Sequence, residues 1–236
     1  MRLLVSVKNV EEALAALTGG ADFIDAKDPA AGALGAVSLE VLRGIHSTVA
    51  GLKPVSAALG DALDERSIER DVRAYSLAGA SLVKIGFAGI SSRSRVDALL
   101  NAARRGAAQH AGVIAVAYAD AERVASPHPD VILNAAASMS VAGVLLDTAD
   151  KRGPGLTQHM LVERLAPWVT TAHRAGLLVA IAGKLSADDL AFARETGADI
   201  AGVRGAACDD GRTGRVVADK VRLLRSRMTA DALACR

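Results

Sequence analysis

This sequence contains few aromatic residues and carries little net charge. Phe, Trp and Tyr make up 3% of the 236 residues, so the chain lacks the stacking surfaces with which many proteins bind single-stranded nucleic acid. Its 28 basic residues nearly balance 26 acidic ones, and the net charge of +2 provides no strong field toward a polyanion. These two absences argue against nucleic acid and anionic membranes as partners.

Cysteine is equally scarce, and the histidines are dispersed. Cys208 and Cys235 belong to no CxxC motif and to no Cys/His cluster with the spacing of zinc ligands. The 5 histidines form neither an HxH nor an HExxH motif. We therefore expect neither a disulfide framework nor a bound metal.

Long apolar runs and nucleotide-binding motifs are also missing. No segment approaches the roughly 20 apolar residues that a membrane-spanning helix needs. The first apolar run, residues 3–7, is too short for the core of a signal peptide and ends at Lys8. The sequence contains no GxGxxG or GxxxxGK[ST] motif, which disfavours a doubly wound dinucleotide-binding sheet. We expect a cytoplasmic protein.

The sequence does contain a regular alternation of strand-like and helix-like segments. Short β-branched runs alternate with amphipathic segments of helical period, which is typical of βα units on a parallel sheet. Strands are predicted at residues 3–7, 23–27, 55–59, 82–87, 113–118, 143–147, 178–182 and 200–204. Helices are predicted at residues 10–18, 39–49, 65–77, 93–109, 131–139, 160–174, 190–195 and 216–228. This pattern predicts a single (β/α)₈ barrel of the α/β class over residues 1–236.

Charged residues stand at the predicted strand ends, where the active site of such a barrel forms. Asp25 and Lys27 are two positions apart at the end of the second strand, so both should face the same side. Lys84 interrupts the apolar fourth strand, and Asp147 ends the sixth, with Lys151 in the following loop. A desolvated lysine can attack a carbonyl, because burial disfavours its ammonium form. These five residues are the candidate catalytic groups, and plain structural ion pairs are the alternative interpretation.

Two loops near the C-terminus predict a phosphate site. They follow the seventh and eighth strands, where barrels often bind phosphate through backbone N–H groups. Glycine permits close approach of the anion, and a basic side chain in each loop adds charge, although turn chemistry alone also favours such residues. The candidate phosphate-binding residues are Gly183, Lys184, Arg204, Gly205 and Ala206.

Several phrases, spread over nearly the whole chain, carry a family resemblance. They are LLVS at 3–6, GGAD at 19–22, IDAK at 24–27, GALGA at 32–36, VKIG at 83–86, AYAD at 117–120, LLDTA at 145–149 and VRGAAC at 203–208. In these phrases the sequence resembles the (5-formylfuran-3-yl)methyl phosphate synthase family of methanofuran biosynthesis.

The resemblance implies a Schiff-base lyase with the barrel fold. It would condense two molecules of glyceraldehyde 3-phosphate and release one phosphate and water, without a metal or an organic cofactor. By the same resemblance, Lys27 forms the Schiff base and Lys84 accepts a proton, while Asp25, Asp147 and Lys151 line the site. Repulsion among the three ammonium groups should lower the pKa of at least one of them toward neutrality.

Two other functions remain open at this point. A Schiff-base aldolase or isomerase of another small phosphorylated aldehyde would need the same barrel, lysine and phosphate loops. A non-catalytic barrel that binds a phosphorylated metabolite would need only the phosphate loops. The sequence does not fix the oligomeric state, because apolar residues on the outer helices serve either packing or association into a homo-oligomer.

Overall fold

The apolar segments form parallel strands that close into a barrel. The computed structural model describes residues 1–229, and Cys235 lies outside the described residues. Each strand pairs in parallel with the next along the chain, and the last pairs with the first. The strands are β1 (Arg2–Val7), β2 (Phe23–Ala26), β3 (Val55–Asp61), β4 (Leu82–Gly86), β5 (Gly112–Tyr118), β6 (Gly143–Asp147), β7 (Leu178–Ile181) and β8 (Ile200–Val203). The predicted (β/α)₈ barrel is confirmed.

Helices connect the strands and form the outer layer. Several begin where the sequence offers a capping side chain: the Val41 N–H donates to Ser38, and the Arg95 N–H donates to Ser92. In the described chain, none of the helices combines the length and the apolar character needed to cross a bilayer. The helices are α1 (Val10–Thr18), α2 (Leu39–Val49), α3 (Glu65–Leu77), α4 (Arg93–Ala107), α5 (Pro129–Ser138), α6 (Leu156–His159), α7 (Val162–Arg174), α8 (Asp189–Glu195) and α9 (Ala218–Thr229).

One helix prediction in the C-terminal half is wrong in detail. The predicted helix 160–174 is preceded by the short α6, and extended backbone at Met160 separates α6 from α7. Pro167 lies inside α7, which begins at Val162. Before α8, Ser186 and Asp189 make the reciprocal contacts of a capping box: the Ser186 N–H donates to the Asp189 carboxylate at 2.8 Å, and the Asp189 N–H donates to the Ser186 hydroxyl at 3.3 Å.

Strand residues alternate between the barrel interior and the helices. On β5, Val113 and Ala115 pack in the large core between strands and helices, whereas Ile114 and Val116 pack in the inner cluster. Large apolar side chains fill the interior at the N-terminal ends of the strands. They include Leu4, Phe23 and Ile200.

A buried ion pair braces the seam between the first and last strands. Arg204 follows β8, and its guanidinium donates to both carboxylate oxygens of Glu12 on α1. It also donates to the carbonyl oxygens of Ser6, Arg212 and Gly214, each at 2.9 Å. Its five N–H groups are thereby all engaged. The side chains of Arg204 and Glu12 are only 5% and 3% exposed, so each charge depends on the other.

We predict that removing one charge of this pair destabilises the barrel strongly. Glu12→Gln should lower the free energy of unfolding by about 3–5 kcal/mol, because it leaves the Arg204 charge buried without its counter-ion. Asp71→Asn is the matched control, since Asp71 pairs with Arg70 at the exposed surface, and it should cost less than about 1 kcal/mol. Urea unfolding measures both values. Equal, small effects of the two substitutions would contradict a structural role of the Glu12–Arg204 pair.

Candidate active site

A cavity of about 300 Å³ opens at the C-terminal ends of the strands. This volume lies at the lower end for small-molecule pockets and suits a small substrate. Its deeper wall is apolar and includes Leu4, Leu145 and Ile200. Small residues in the wall, such as Ala180 and Gly202, leave the space open. The charged and polar lining comprises Ser6, Lys27, Lys84, Asp147, Lys151, Lys184, Ser186, Arg204 and Arg212.

Asp25 and Lys84 form a buried ion pair beside this cavity. The Lys84 Nζ lies 2.5 Å from Asp25 Oδ1, and the Asp25 side chain is fully buried. Two serine hydroxyls complete the carboxylate shell: Ser6 donates to Oδ2 at 2.8 Å and Ser56 donates to Oδ1 at 2.7 Å. Ser6, Asp25 and Ser56 are register partners on β1, β2 and β3. The carboxylate is therefore held behind Lys84, and the lysine is the member of the pair that lines the cavity.

Asp147 and Lys151 form a second ion pair that lines the same cavity. Asp147 ends β6, and its Oδ1 accepts from the Lys151 Nζ at 2.6 Å and from the Thr148 N–H at 2.7 Å. Burial acts to raise the pKa of Asp147, but the cations of Lys151 and Lys27 and these hydrogen bonds hold it below its ordinary value. Asp147 is therefore a carboxylate that faces the cavity.

Lys27 lies between these two pairs and is only 7% exposed. Within residues 1–229, its Nζ has no ion-pair or hydrogen-bond partner. Burial lowers its pKa from 10.5 to about 7, with Asp147 opposing the shift and the cations of Lys151 and Lys84 adding to it. In a large fraction of the molecules Lys27 is therefore a neutral amine at physiological pH. The neutral amine is the form that attacks a carbonyl carbon.

The two ion pairs beside Lys27 are each neutral without it. Asp25 compensates Lys84, and Asp147 compensates Lys151. A third ammonium in the same space has no carboxylate of its own, so its proton is the one most readily lost. The arrangement can form a covalent imine at Lys27 and move protons on either side of it.

The loops after β7 and β8, which contain the candidate phosphate-binding residues, border the same cavity. Gly183 has φ +108° and Lys184 has φ +59°, so both adopt the left-handed region, which is unfavourable for the lysine. The Lys184 Nζ donates to the Gly153 oxygen at 2.6 Å, which ties this loop to the β6 loop. Gly205 and Ala206 begin a 3₁₀ turn, whose first N–H groups have no partner within the turn.

Two charged residues near the strand ends do not present their charge to the cavity. Arg204 lines the cavity, but every N–H group of its guanidinium is engaged by Glu12 and backbone oxygens. The sequence predicts that Arg204 binds phosphate through its side chain. In the structure this side chain instead braces the barrel, because Glu12 and backbone oxygens occupy all of its donors. Asp120, after β5, accepts the Ala149 and Asp150 N–H groups at 2.7 and 2.8 Å and so fixes the β6 loop.

Sequence reasoning missed Ser56 and Arg212. Ser56 interrupts an apolar strand, as Lys84 does, and this was the available signal for a buried polar contact. Arg212 lies in a short 3₁₀ turn, Gly211–Thr213, that follows β8 and is too short to show a periodic sequence pattern. No group of three or more His, Cys, Asp or Glu side chains in the described chain is placed to hold a metal ion.

Comparison with known proteins identifies the family and supports the fold. The family model for 4-HFC-P synthase matches residues 3–225. The (5-formylfuran-3-yl)methyl phosphate synthase of Methanopyrus kandleri is 37% identical over 99% of both chains. The enzyme of the same name from Methanothermobacter thermautotrophicus is 38% identical over 95% of this chain and 98% of its own.

A solved structure supports the fold alone. Phosphoribosyl anthranilate isomerase from Thermotoga maritima superposes with a TM-score of 0.67 at 15% identity, covering 98% of this chain and 99% of its own. The family match over residues 3–225 and the identity to the two relatives show the family as well as the fold. The chain belongs to the 4-HFC-P synthase family.

Proposed function

We propose that this protein condenses two molecules of glyceraldehyde 3-phosphate into (5-formylfuran-3-yl)methyl phosphate. The reaction balances with loss of one inorganic phosphate and two molecules of water, so the enzyme is a carbon–oxygen lyase. The observation that carries the proposal is the buried Lys27 amine, with a pKa of about 7, between two lysine–carboxylate pairs. The names of the relatives supply the product.

The first stage makes a reactive iminium from one triose phosphate. The Lys27 amine attacks the aldehyde carbon C1, and loss of water gives the iminium. Removal of the C2 proton produces an enamine, whose electron pair expels the C3 phosphate as inorganic phosphate. The result is an unsaturated iminium on Lys27 with an electrophilic C3. In this scheme the leaving phosphate lies against the loops after β7 and β8, where glycine permits close approach.

The second stage joins the other triose phosphate to that intermediate. Its C2, after loss of a proton, forms a bond to the electrophilic C3 of the first triose. The C2 hydroxyl of the first triose then closes the ring on the C1 aldehyde of the second. Two dehydrations make the furan aromatic, and hydrolysis of the imine frees Lys27. The product keeps the phosphate of the second triose.

The Lys84–Asp25 pair supplies the base in this scheme. Lys84 lines the cavity while Asp25 is held behind it by Ser6 and Ser56. When the Lys84 proton passes to Asp25 across the 2.5 Å contact, the Lys84 amine can accept the substrate proton at C2. Asp25 then holds, as a neutral carboxylic acid, the proton that Lys84 gave up.

The Asp147–Lys151 pair supplies acid and counter-charge. The Lys151 ammonium donates a proton to the hydroxyl that leaves as water when the imine forms. Asp147 then attracts the positive iminium at Lys27, as it attracts the Lys27 ammonium in the free protein. Methanofuran biosynthesis in the cytoplasm is the cellular role that fits this product.

The direct test is incubation with glyceraldehyde 3-phosphate alone. We expect one inorganic phosphate per furan, with the product identified by mass. Lys27→Arg should abolish turnover, because a guanidinium stays protonated and cannot form the imine. A borohydride-trapped triose on Lys27 without furan would indicate another aldolase or isomerase. Neither adduct nor turnover in the wild type would favour a non-catalytic binding protein.

The pH dependence of imine formation tests the electrostatics of Lys27. Because burial lowers its pKa to about 7, the rate of borohydride trapping should rise with pH and level off above about 7. Asp147→Asn removes an attraction that raises this pKa, so the midpoint should move to lower pH. Lys151→Met removes a repulsion that lowers it, so the midpoint should move to higher pH. Shifts in the same direction, or a wild-type midpoint near 10.5, would contradict this account.

Replacing Lys84 should separate imine formation from proton removal. Lys84→Met nearly preserves the side-chain volume, and we expect a trapped triose on Lys27 but at least a ~100-fold loss of furan formation. The substitution also leaves Asp25 buried without its counter-ion, which destabilises the fold. Lys84→Met combined with Asp25→Asn removes both charges and controls for this effect. Near-normal turnover in either folded variant would exclude Lys84 as the base.

A further inference from the structure

A second cavity adjoins the active site at the mouth of the barrel. It has a volume of about 660 Å³ and lies between the loop after β2, at residues 29–33, and the loop after β6, at residues 149–152. Lys151 and Arg212 line both this cavity and the one that contains Lys27. The two cavities are therefore adjacent, and the cationic side chains of Lys151 and Arg212 line both of them.

The side chains around this second cavity are strongly basic. Arg123, Lys151, Arg152 and Arg212 line it, and Asp150 is the one carboxylate among its described lining residues. Asp150 accepts from Arg123 Nη1 at 3.1 Å and from the Arg152 N–H at 2.9 Å, so it orients the loop and one guanidinium. Asp147 compensates Lys151 and Asp150 compensates Arg123, so Arg152 and Arg212 leave a surplus of two positive charges, which fits a phosphate dianion.

Arg212 is held where it can face both spaces. Its guanidinium donates to the Pro29 oxygen and, at 2.6 Å, to the Gly32 oxygen in the loop after β2. A guanidinium has five N–H groups, so donors remain for an anion. Within residues 1–229, the Arg152 guanidinium has no hydrogen-bond partner and is available to a ligand. The cavity is thus lined by the Arg212 guanidinium, which hydrogen bonds hold in place, and by the Arg152 guanidinium, which can adjust to a ligand.

We infer that this second cavity is the subsite for the phosphate of the second triose, which the product retains. The inference rests on the proposed function, in which two phosphorylated substrates meet at Lys27. One phosphate leaves from the loops after β7 and β8, and a second dianion in the same place would be repelled by the first. The adjoining cavity offers a separate cationic site, and its shared wall of Lys151 and Arg212 keeps the second triose next to the intermediate on Lys27.

Substitution of the outer arginines tests this subsite. The double variant Arg123→Gln with Arg152→Gln leaves Lys27, Lys84 and Lys151 unchanged. With glyceraldehyde 3-phosphate below saturation, we expect furan formation to fall roughly 10- to 100-fold, since each charge-assisted contact to phosphate is lost. Borohydride trapping of the first triose on Lys27 should stay within about twofold of wild type. The ratio of phosphate released to furan formed should rise above one, because the first triose still eliminates its phosphate.

Two further variants serve as controls. Arg66→Gln lies on α3, away from both cavities, and should leave all three readouts unchanged. Arg152→Lys in the wild-type background keeps the charge and should retain most of the furan formation. Thermal unfolding of each variant shows whether it is folded.

The outcomes separate the subsite from the proposed function. A folded double variant that matches Arg66→Gln in all readouts overturns the subsite while the proposed function stands. Loss of trapping together with furan formation also overturns it, because the arginines would then serve the first triose. If the wild type forms neither adduct nor furan, the proposed function fails and the subsite falls with it.

Discussion

The ion pair between Asp25 and Lys84 is the interaction on which the chemistry of this barrel depends. A closed parallel sheet directs alternate side chains into an enclosed space, where a charge without a partner is costly. Asp25 neutralises Lys84 there, and Asp147 neutralises Lys151. Lys27 belongs to neither pair. The reactive amine is thus a consequence of the burial of Lys27, to which the cations of Lys151 and Lys84 add.

Most of the fold could be predicted because the local signals agree with the tertiary structure. Strand runs such as residues 143–147 carry their apolar pattern in consecutive residues, and Ser38 and Ser92 mark helix starts through contacts three residues away. The clearest error is the helix predicted at residues 160–174. Extended backbone at Met160 separates α6 from α7 there, and the helical period of the sequence does not indicate this break.

The candidate site was predictable to the extent that strand period places side chains. Asp25, Lys27 and Lys84 could be placed inside the barrel because strand residues alternate between faces. The role of Arg204 could not be deduced in this way, since its partner Glu12 is 192 residues distant in sequence. A basic residue after β8 fits two roles, binding of phosphate and formation of a buried ion pair. Only a buried carboxylate beside it distinguishes these roles, and no local sequence pattern indicates that contact.

The Glu12–Arg204 contact also has a consequence for how the chain is made. At a synthesis rate of about 5–20 residues per second, roughly 10–40 s separate the two residues as they are added. During that interval Glu12 has no guanidinium partner, and β1 has no β8 beside it. The nascent chain must therefore keep the edge of β1 open until the last strand arrives. The synthesis of β8, rather than any earlier folding step, sets the moment at which the barrel can close.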